Sequence, residues 1–466
     1  MPDIETSVPD KKRPPNGSAP QKNVYYVKGE IDIWFLLISV ALLLFGIVMA
    51  FSASSIYADQ YRGDSLYFLK KHLLFVALAL IPTVIVVWLG NPILWKAVSL
   101  PAYGGAAMLL VLVLFIGTAE GEAQRWIYVG PVSVQPSEVA KLALILFLSL
   151  WMARYEKEIA SPFRFGGSFK YGVLFPGMII GFLCGLIALE KHISGLMIVG
   201  LLGIVIMFLG GTKLRWILLI CGVIGLAAVG LVFVSDYAQG RVEIWLHIDQ
   251  MDSQGLAWQT LQGLYAIGNG GLFGVGLGES AQKFGYVSQP QNDFIFTIVC
   301  EELGFFGALL AVVLFGLFVW RGYKLAAKAP DTFCSLVTYG LVTKVGLQAI
   351  LNIAVVTNSM PNTGISLPFF SSGGSSLMLQ IFEVGIILSI SRFSLVRKEG
   401  SAKEKYSMDD IDIKTDFTVE DEPVEEKEPP KDEPFEDDYD LPEDTEPGDT
   451  EEDELEEQTD DPSDYL

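Results

Sequence analysis

The chain has 466 residues, half of them hydrophobic (51%), with a formal net charge of −22. Apolar residues gathered in long runs exclude an ordinary water-soluble fold, and the acidic balance argues against a nucleic-acid-binding surface. Four cysteines (Cys184, Cys221, Cys300 and Cys334) lie in or beside apolar runs without metal-type spacing, so they read as packing residues.

Residues 1–30 are polar and lack the short apolar core and cleavage site of a signal peptide, so the first apolar run reads as a retained span. Ten runs have the length and purity of membrane helices: roughly 33–53, 72–90, 97–117, 137–153, 171–189, 194–211, 214–235, 293–320, 331–356 and 376–395. The expected fold is therefore an all-α membrane protein. It is a ten-transmembrane-helix bundle over 31–398, with a large extracellular loop between helices 7 and 8. Residues 1–30 are expected to be a largely disordered cytoplasmic tail, and 399–466 an acidic disordered cytoplasmic tail. The stretch 401–466 holds 30 acidic and 5 basic residues, a balance of −25, so the overall −22 leaves +3 for the body. Such a tail cannot bury enough apolar surface to fold.

Ten spans put both termini on one side. Lysine and arginine are denser in the loops of that side, among them Lys157, Arg164, Arg215 and Lys328, than in the opposite loops, which assigns it to the cytoplasm. Loops 118–136, 236–292 and 357–375 then face outward.

Polar groups interrupt this pattern at four places. In 121–144, Arg125 and Trp126 suit an interfacial loop that meets an anionic head group. Gln135-Pro136-Ser137-Glu138 reads as a helix start, with Glu138 and Lys141 on one face. Segment 263–283 holds seven glycines and ends on Gln282 and Lys283. It suits either a backbone cradle or a tight loop, and Lys283 and Arg241 are candidates to meet phosphates. It lacks the strand–helix context of a dinucleotide fingerprint. Segment 361–376, with two prolines, three glycines and five serines, suits the lining of a cavity and ends on Ser375 and Ser376. Asp293 stands where a polar loop enters the eighth span, either as a helix-end carboxylate or as a base with a perturbed pKa. Within the spans, Glu301 and Glu302 follow two turns deeper, Lys344, Gln348 and Asn352 form a stripe, and Lys344 can pair with Glu383 or Glu302. Three scattered histidines support no zinc site.

In combination, AQRWI with QPSEVAK, YAIGNGGLFGVGLGESAQK, QNDFIF with EELG, and LPFFSSGGSS resemble the SEDS family of bacterial membrane proteins, the FtsW, RodA and SpoVE group, over roughly 30–395. Asn292 before the aspartate, Leu303-Gly304 after the paired acids, and tails at both ends look more like the FtsW type than RodA. The resemblance implies a peptidoglycan glycosyltransferase that polymerises lipid II at the outer membrane face for septal wall synthesis. It also implies a class B penicillin-binding protein and other divisome membrane proteins as partners, and enrichment at the septum. It puts the family's catalytic acid on Asp293, as general base, and its outer-loop arginine on Arg125, against the diphosphate. The family's fourth-span Glu and Lys fall on Glu138 and Lys141. Lys283, Arg241, Gln282, Ser375 and Ser376 are candidate substrate contacts. Glu138, Lys141, Glu301, Glu302 and Lys344 are structural. No metal cage is expected, only a divalent cation (Mg or Mn) bridged by substrate. The chain departs from the family at EKHISG, where His192 stands for the Asp of a Pro-Asp-Leu-Gly-like sequence. It departs also at Asn358-Ser359, and at Ser372 in place of Tyr. RodA-type elongation, SpoVE-type sporulation, and a lipid II flippase whose path is lined by the intramembrane charges are the alternatives.

Overall fold

The computed structural model describes residues 24–120, 123–129, 132–161, 166–234, 236–248, 256–287, 290–371 and 374–397. The acidic tail, the first 23 residues and Ser372 lie outside the described residues.

Among the described residues, eight helices are long and apolar enough to cross a membrane. They are α1 (Ile33–Arg62), α2 (Tyr67–Leu89), α3 (Pro92–Ile116), α4 (Pro136–Arg154), the continuous segment Gly167–Leu189, α12 (Ile295–Ala327), α13 (Thr332–Val356) and α14 (Gly374–Ser391). After the short α5 (Glu156–Ala160), that segment runs from α6 (Gly167–Phe169) through a π-helical turn into α7 (Phe175–Leu189). The sixth and seventh predicted spans are α8 (Ile193–Leu209) and α9 (Leu214–Val234), whose apolar stretches are shorter than those of the other eight. Two further helices, α10 (Asp236–Leu246) and α11 (Leu256–Gly270), lie within the long loop between the seventh and eighth apolar segments.

Burial separates the centre of the bundle from its rim. In α4, α13 and α14, 61–78% of the apolar window is buried, against 22–33% in the other five spans. Outer helices turn residues such as Leu44, Trp88 and Phe115 outward, as lipid contact requires. The central helices are the ones carrying Glu138, Lys141, Lys344 and Glu383. Charges survive in a bilayer only inside the bundle, so polar sequence selects the central positions.

Two small sheets mark the ends of the bundle. At one end, β2 (Thr118–Glu120), β3 (Ala123–Val129) and β4 (Val132–Val134) form an antiparallel sheet, in which Ile127 faces Val134. The sheet packs on α3, α4 and α14, and carries Arg125 on β3. At the other end, β1 (Val24–Lys28) pairs antiparallel with β5 (Phe393–Arg397). β1 falls inside 1–30, the stretch read from sequence as a largely disordered tail.

α12 breaks at Gly304, which has φ 66 and ψ −163. Backbone groups freed inside a membrane must find partners within the protein. The glycine-rich segment supplies them. Phe305 N–H donates to Gly271 O (2.9 Å), Val275 N–H to Glu301 O (2.9 Å) and Gly276 N–H to Glu302 O (3.0 Å). A Cβ on Gly274 would lie 2.1 Å from Glu302 O, so only glycine allows this approach. Within 263–283, residues 263–270 thus complete α11 and 271–283 form a tight loop packed on the broken helix.

Candidate active site

Asp293 is half-buried two residues before α12 begins. Its main chain is fixed from α13: Asn352 Nδ2 donates to Asp293 O at 2.6 Å and to Ile365 O at 2.7 Å. One fully buried amide thus ties the start of α12 to the loop between α13 and α14. That loop passes close to the carboxyl group. Gly364, at φ 67, would place a Cβ 3.5 Å from Asp293 Oδ2. Other elements hold the loop in place. Arg241 of α10 donates to Asn362 O, Ser194 of α8 to Thr363 O, and Trp245 Nε1 to Asn358 O at 3.0 Å.

Burial pushes the Asp293 carboxyl above the usual aspartate range, and its own backbone N–H and then the nearby charges of Arg125 and Arg241 only partly offset this. Two cations flanking an acid whose proton is retained to higher pH suit proton abstraction next to an anionic group. Arg125 also acts on Glu190 and on His192, both in the turn between α7 and α8. Burial, with Lys141 and Arg125 beside it, pushes His192 down to about 3, so its imidazole is neutral.

Beneath the site, central helices carry a charge cluster. Lys141 Nζ lies 2.5 Å from Glu138 Oε1, and Lys344 Nζ lies 2.6 Å from Glu383 Oε1 and 3.5 Å from Glu138 Oε2. Glu383, rather than Glu302, is thus the partner of Lys344. Two cations against two carboxylates leave the cluster neutral, which is how ionisable groups persist in a bilayer. The stripe on α13 therefore joins this cluster, through Lys344, to the Asp293 backbone, through Asn352.

Lys283, read from sequence as a candidate phosphate contact, is engaged within the protein. Lys283 is 3% exposed, with its ammonium 2.9 Å from Glu302 Oε1 and 2.5 Å from Gly278 O. Glu302 also accepts from Ser52 at 2.6 Å. Glu301 accepts from Asn269 Nδ2 (3.0 Å), Ala281 N–H (3.2 Å) and Gln282 N–H (3.4 Å), and from the Ser280 hydroxyl. These acids bind the glycine-rich loop to the broken helix rather than lining a path. Ser375 and Ser376 likewise have structural partners. Ser375 Oγ accepts from Gln135 N–H and Ser376 Oγ from Gln380 Nε2, both at 3.2 Å. Of the candidate substrate contacts, Arg241 is the one whose charge acts on Asp293. Sequence reasoning passed over Glu190 and Gly364. The polar triplet Glu190-Lys191-His192 between two apolar helices was the available signal.

Fold and site together define a polytopic helical membrane protein with a charged site at one end of its central helices. The family described as "Cell cycle protein", the FtsW/RodA/SpoVE group, matches residues 33–395, and the chain belongs to it. It is 39% identical over 371 residues to "Stage V sporulation protein E" of Bacillus subtilis (strain 168), covering 78% of this chain and 97% of that protein. It is 36% identical over 365 residues to "Probable peptidoglycan glycosyltransferase FtsW" of Trichlorobacter lovleyi, covering 78% and 93%. Among solved structures, one described as "Structural coordination of polymerization and crosslinking by a peptidoglycan synthase complex" matches at TM-score 0.64 and 26% identity, over 78% of this chain and 98% of that one. The rod shape determining protein RodA of Thermus thermophilus matches at TM-score 0.57 and 26% identity, over 78% and 97%.

Proposed function

We propose that this chain is a peptidoglycan glycosyltransferase that polymerises lipid II into glycan strands at the outer face of the cytoplasmic membrane, for septal wall synthesis. The observation that carries the reading is the half-buried Asp293 carboxyl under the combined charge of Arg125 and Arg241. In the reaction, the 4-hydroxyl of an acceptor sugar attacks the anomeric carbon of the donor. The new glycosidic bond forms as the bond to the lipid diphosphate breaks. Asp293 takes the hydroxyl proton, a role typically worth about 10²–10⁴-fold. Arg125 and Arg241 meet the negative charge that develops on the departing diphosphate. A divalent cation, Mg or Mn, would enter bridged by the diphosphate rather than as a resident group.

The partner proposed is a class B penicillin-binding protein, with other divisome membrane proteins around it. A structural neighbour described as a peptidoglycan synthase complex supports that choice. Both termini are assigned to the cytoplasm from the distribution of Lys and Arg. A lipid II flippase is the less supported alternative, because Glu138, Glu302 and Glu383 have lysine partners and Glu301 is held by the loop. The decisive experiment supplies lipid II to the purified complex and measures glycan polymer from wild type and Asp293→Asn. Polymer from wild type alone supports the reading, and equal polymer from both removes Asp293 as the base.

A further inference from the structure

The turn between α7 and α8 is built from Glu190, Lys191 and His192. Lys191 adopts φ 55, a left-handed conformation that a non-glycine residue keeps only where its surroundings enforce it. Glu190 is 1% exposed, and neither of its carboxyl oxygens has a hydrogen-bond partner among the described residues. Arg125 is near enough for its charge to act on Glu190, yet Arg125 Nε is itself buried without a hydrogen-bond partner among the described residues. A guanidinium beside a carboxylate ordinarily closes a charge-assisted hydrogen bond. Here the two groups sense each other without pairing, while the same guanidinium also acts on Asp293.

We propose that Glu190 is a positioning residue for the site, setting how much of the Arg125 charge is available to the substrate diphosphate. The inference rests on the glycosyl-transfer reading above. Burial pushes Glu190 up to about 8, against the pull of Arg125. At neutral pH it is therefore an uncharged acid, and Arg125 keeps its full charge for an incoming anion. Once ionised, Glu190 becomes a buried counter-ion for Arg125 and competes with the diphosphate. Several other charged groups surround the turn. Lys191 is exposed, and Asp293 shares Arg125. His192 faces Lys141 and Glu138 of α4 and, pushed down to about 3, stays neutral. That leaves Glu190 as the group of this turn whose charge changes near pH 8.

The test is the pH–rate profile of lipid II polymerisation by the full chain with its penicillin-binding partner. Wild type should lose about tenfold between pH 7 and 9, as ionisation of one group near 8 requires. Glu190→Gln, uncharged and of the same shape, should keep at least about half the wild-type rate at pH 7 and lose most of the alkaline fall. If Glu190→Gln does not yield folded protein, Glu190→Met is read in the same profile with the same outcomes. An alkaline fall that survives either substitution overturns the proposal, as does a wild-type profile flat to pH 9. Absence of wild-type polymer at every pH overturns the enzymatic reading itself, which separates the two failures.

Discussion

Asn352 and Asp293 are joined through the Asp293 main chain rather than through its carboxyl group: the Asn352 amide donates to the Asp293 carbonyl at 2.6 Å. The same nitrogen reaches Ile365 O at 2.7 Å, so one residue of α13 sets the spacing between the candidate base and the loop beside it. Asn352→Asp keeps the shape and removes both donors. It should lower kcat about 100-fold, the scale expected of a misplaced catalytic group, with KM for lipid II little changed. Steady-state polymerisation by the variant checks the split, and a change confined to KM would remove Asn352 from this role.

Asp293 should lower stability while serving activity. Its folded-state pKa is raised by burial above the unfolded value. A group shifted upward contributes stability that is fully present below the unfolded pKa and lost as pH rises through the folded pKa. At pH 7, above the unfolded value, the buried acid is therefore a liability to the fold. Asn cannot ionise, so Asp293→Asn should abolish polymer yet melt at or above the wild-type temperature at pH 7, with the advantage vanishing near pH 4. Thermal unfolding in detergent at the two pH values measures this.

The membrane fold was legible because apolar runs in a bilayer have one use. Each of the ten predicted runs overlaps a helix, with ends displaced where polar residues extend a helix past the apolar run, as in α1 to Arg62. Asp293 and Arg125 were legible as charges at boundaries. Pairings between elements were not. Lys283 and Glu302 are 19 residues apart in sequence, and they meet only because α12 breaks at Gly304 and the glycine-rich loop folds back onto it. β1 escaped notice because its partner strand lies beyond the last span. Glu190 escaped because a short polar turn gives no hint of which neighbour it will face.

The buried cluster should be intolerant of half-removal. Lys344 is fully buried and lies between Glu383 and Glu138. Lys344→Met leaves two carboxylates facing each other and should cost about 3–5 kcal/mol, as removal of one partner of a buried pair does. Adding Glu383→Leu should recover part of that loss, because the remaining Glu138 keeps Lys141. Melting temperatures of the single and double variants give the coupling. Independent, additive losses would show that Lys344 and Glu383 do not act as a pair.

Lys283 offers a sharper contrast, between a latch and a ligand contact. A phosphate contact, when removed, raises KM and leaves the fold alone. The latch between Lys283 and Glu302 predicts the reverse. Lys283→Met should lose about 3–5 kcal/mol by stranding Glu302, and Lys283→Met with Glu302→Gln should regain much of it. The double variant should then polymerise lipid II with a KM near that of wild type. A raised KM in a stably folded Lys283→Met protein would return Lys283 to the substrate.

At the opposite end, Asp331 caps α13, accepting from Cys334 N–H at 2.8 Å, and also accepts from Lys96 at 2.7 Å and Tyr26 Oη at 2.5 Å. Burial would raise its pKa, but Lys96, the Cys334 N–H and Tyr26 together hold it below the usual aspartate range. A depressed carboxylate contributes stability present above the unfolded pKa and lost as pH falls through the folded one. Burial and the Asp331 charge push Tyr26 up to about 12, so its hydroxyl stays protonated and available as a donor at neutral pH. Asp331→Ala should therefore cost about 1–2 kcal/mol at pH 7, mainly through the lost cap, and should cost less as the medium is acidified toward pH 2. Tyr26→Phe removes one donor and should cost about 1 kcal/mol. Because β1 carries Tyr26 and pairs with β5, that variant should also speed amide exchange along Val24–Lys28. Exchange that is unchanged in Tyr26→Phe would mean that the strand pairing alone holds the ribbon.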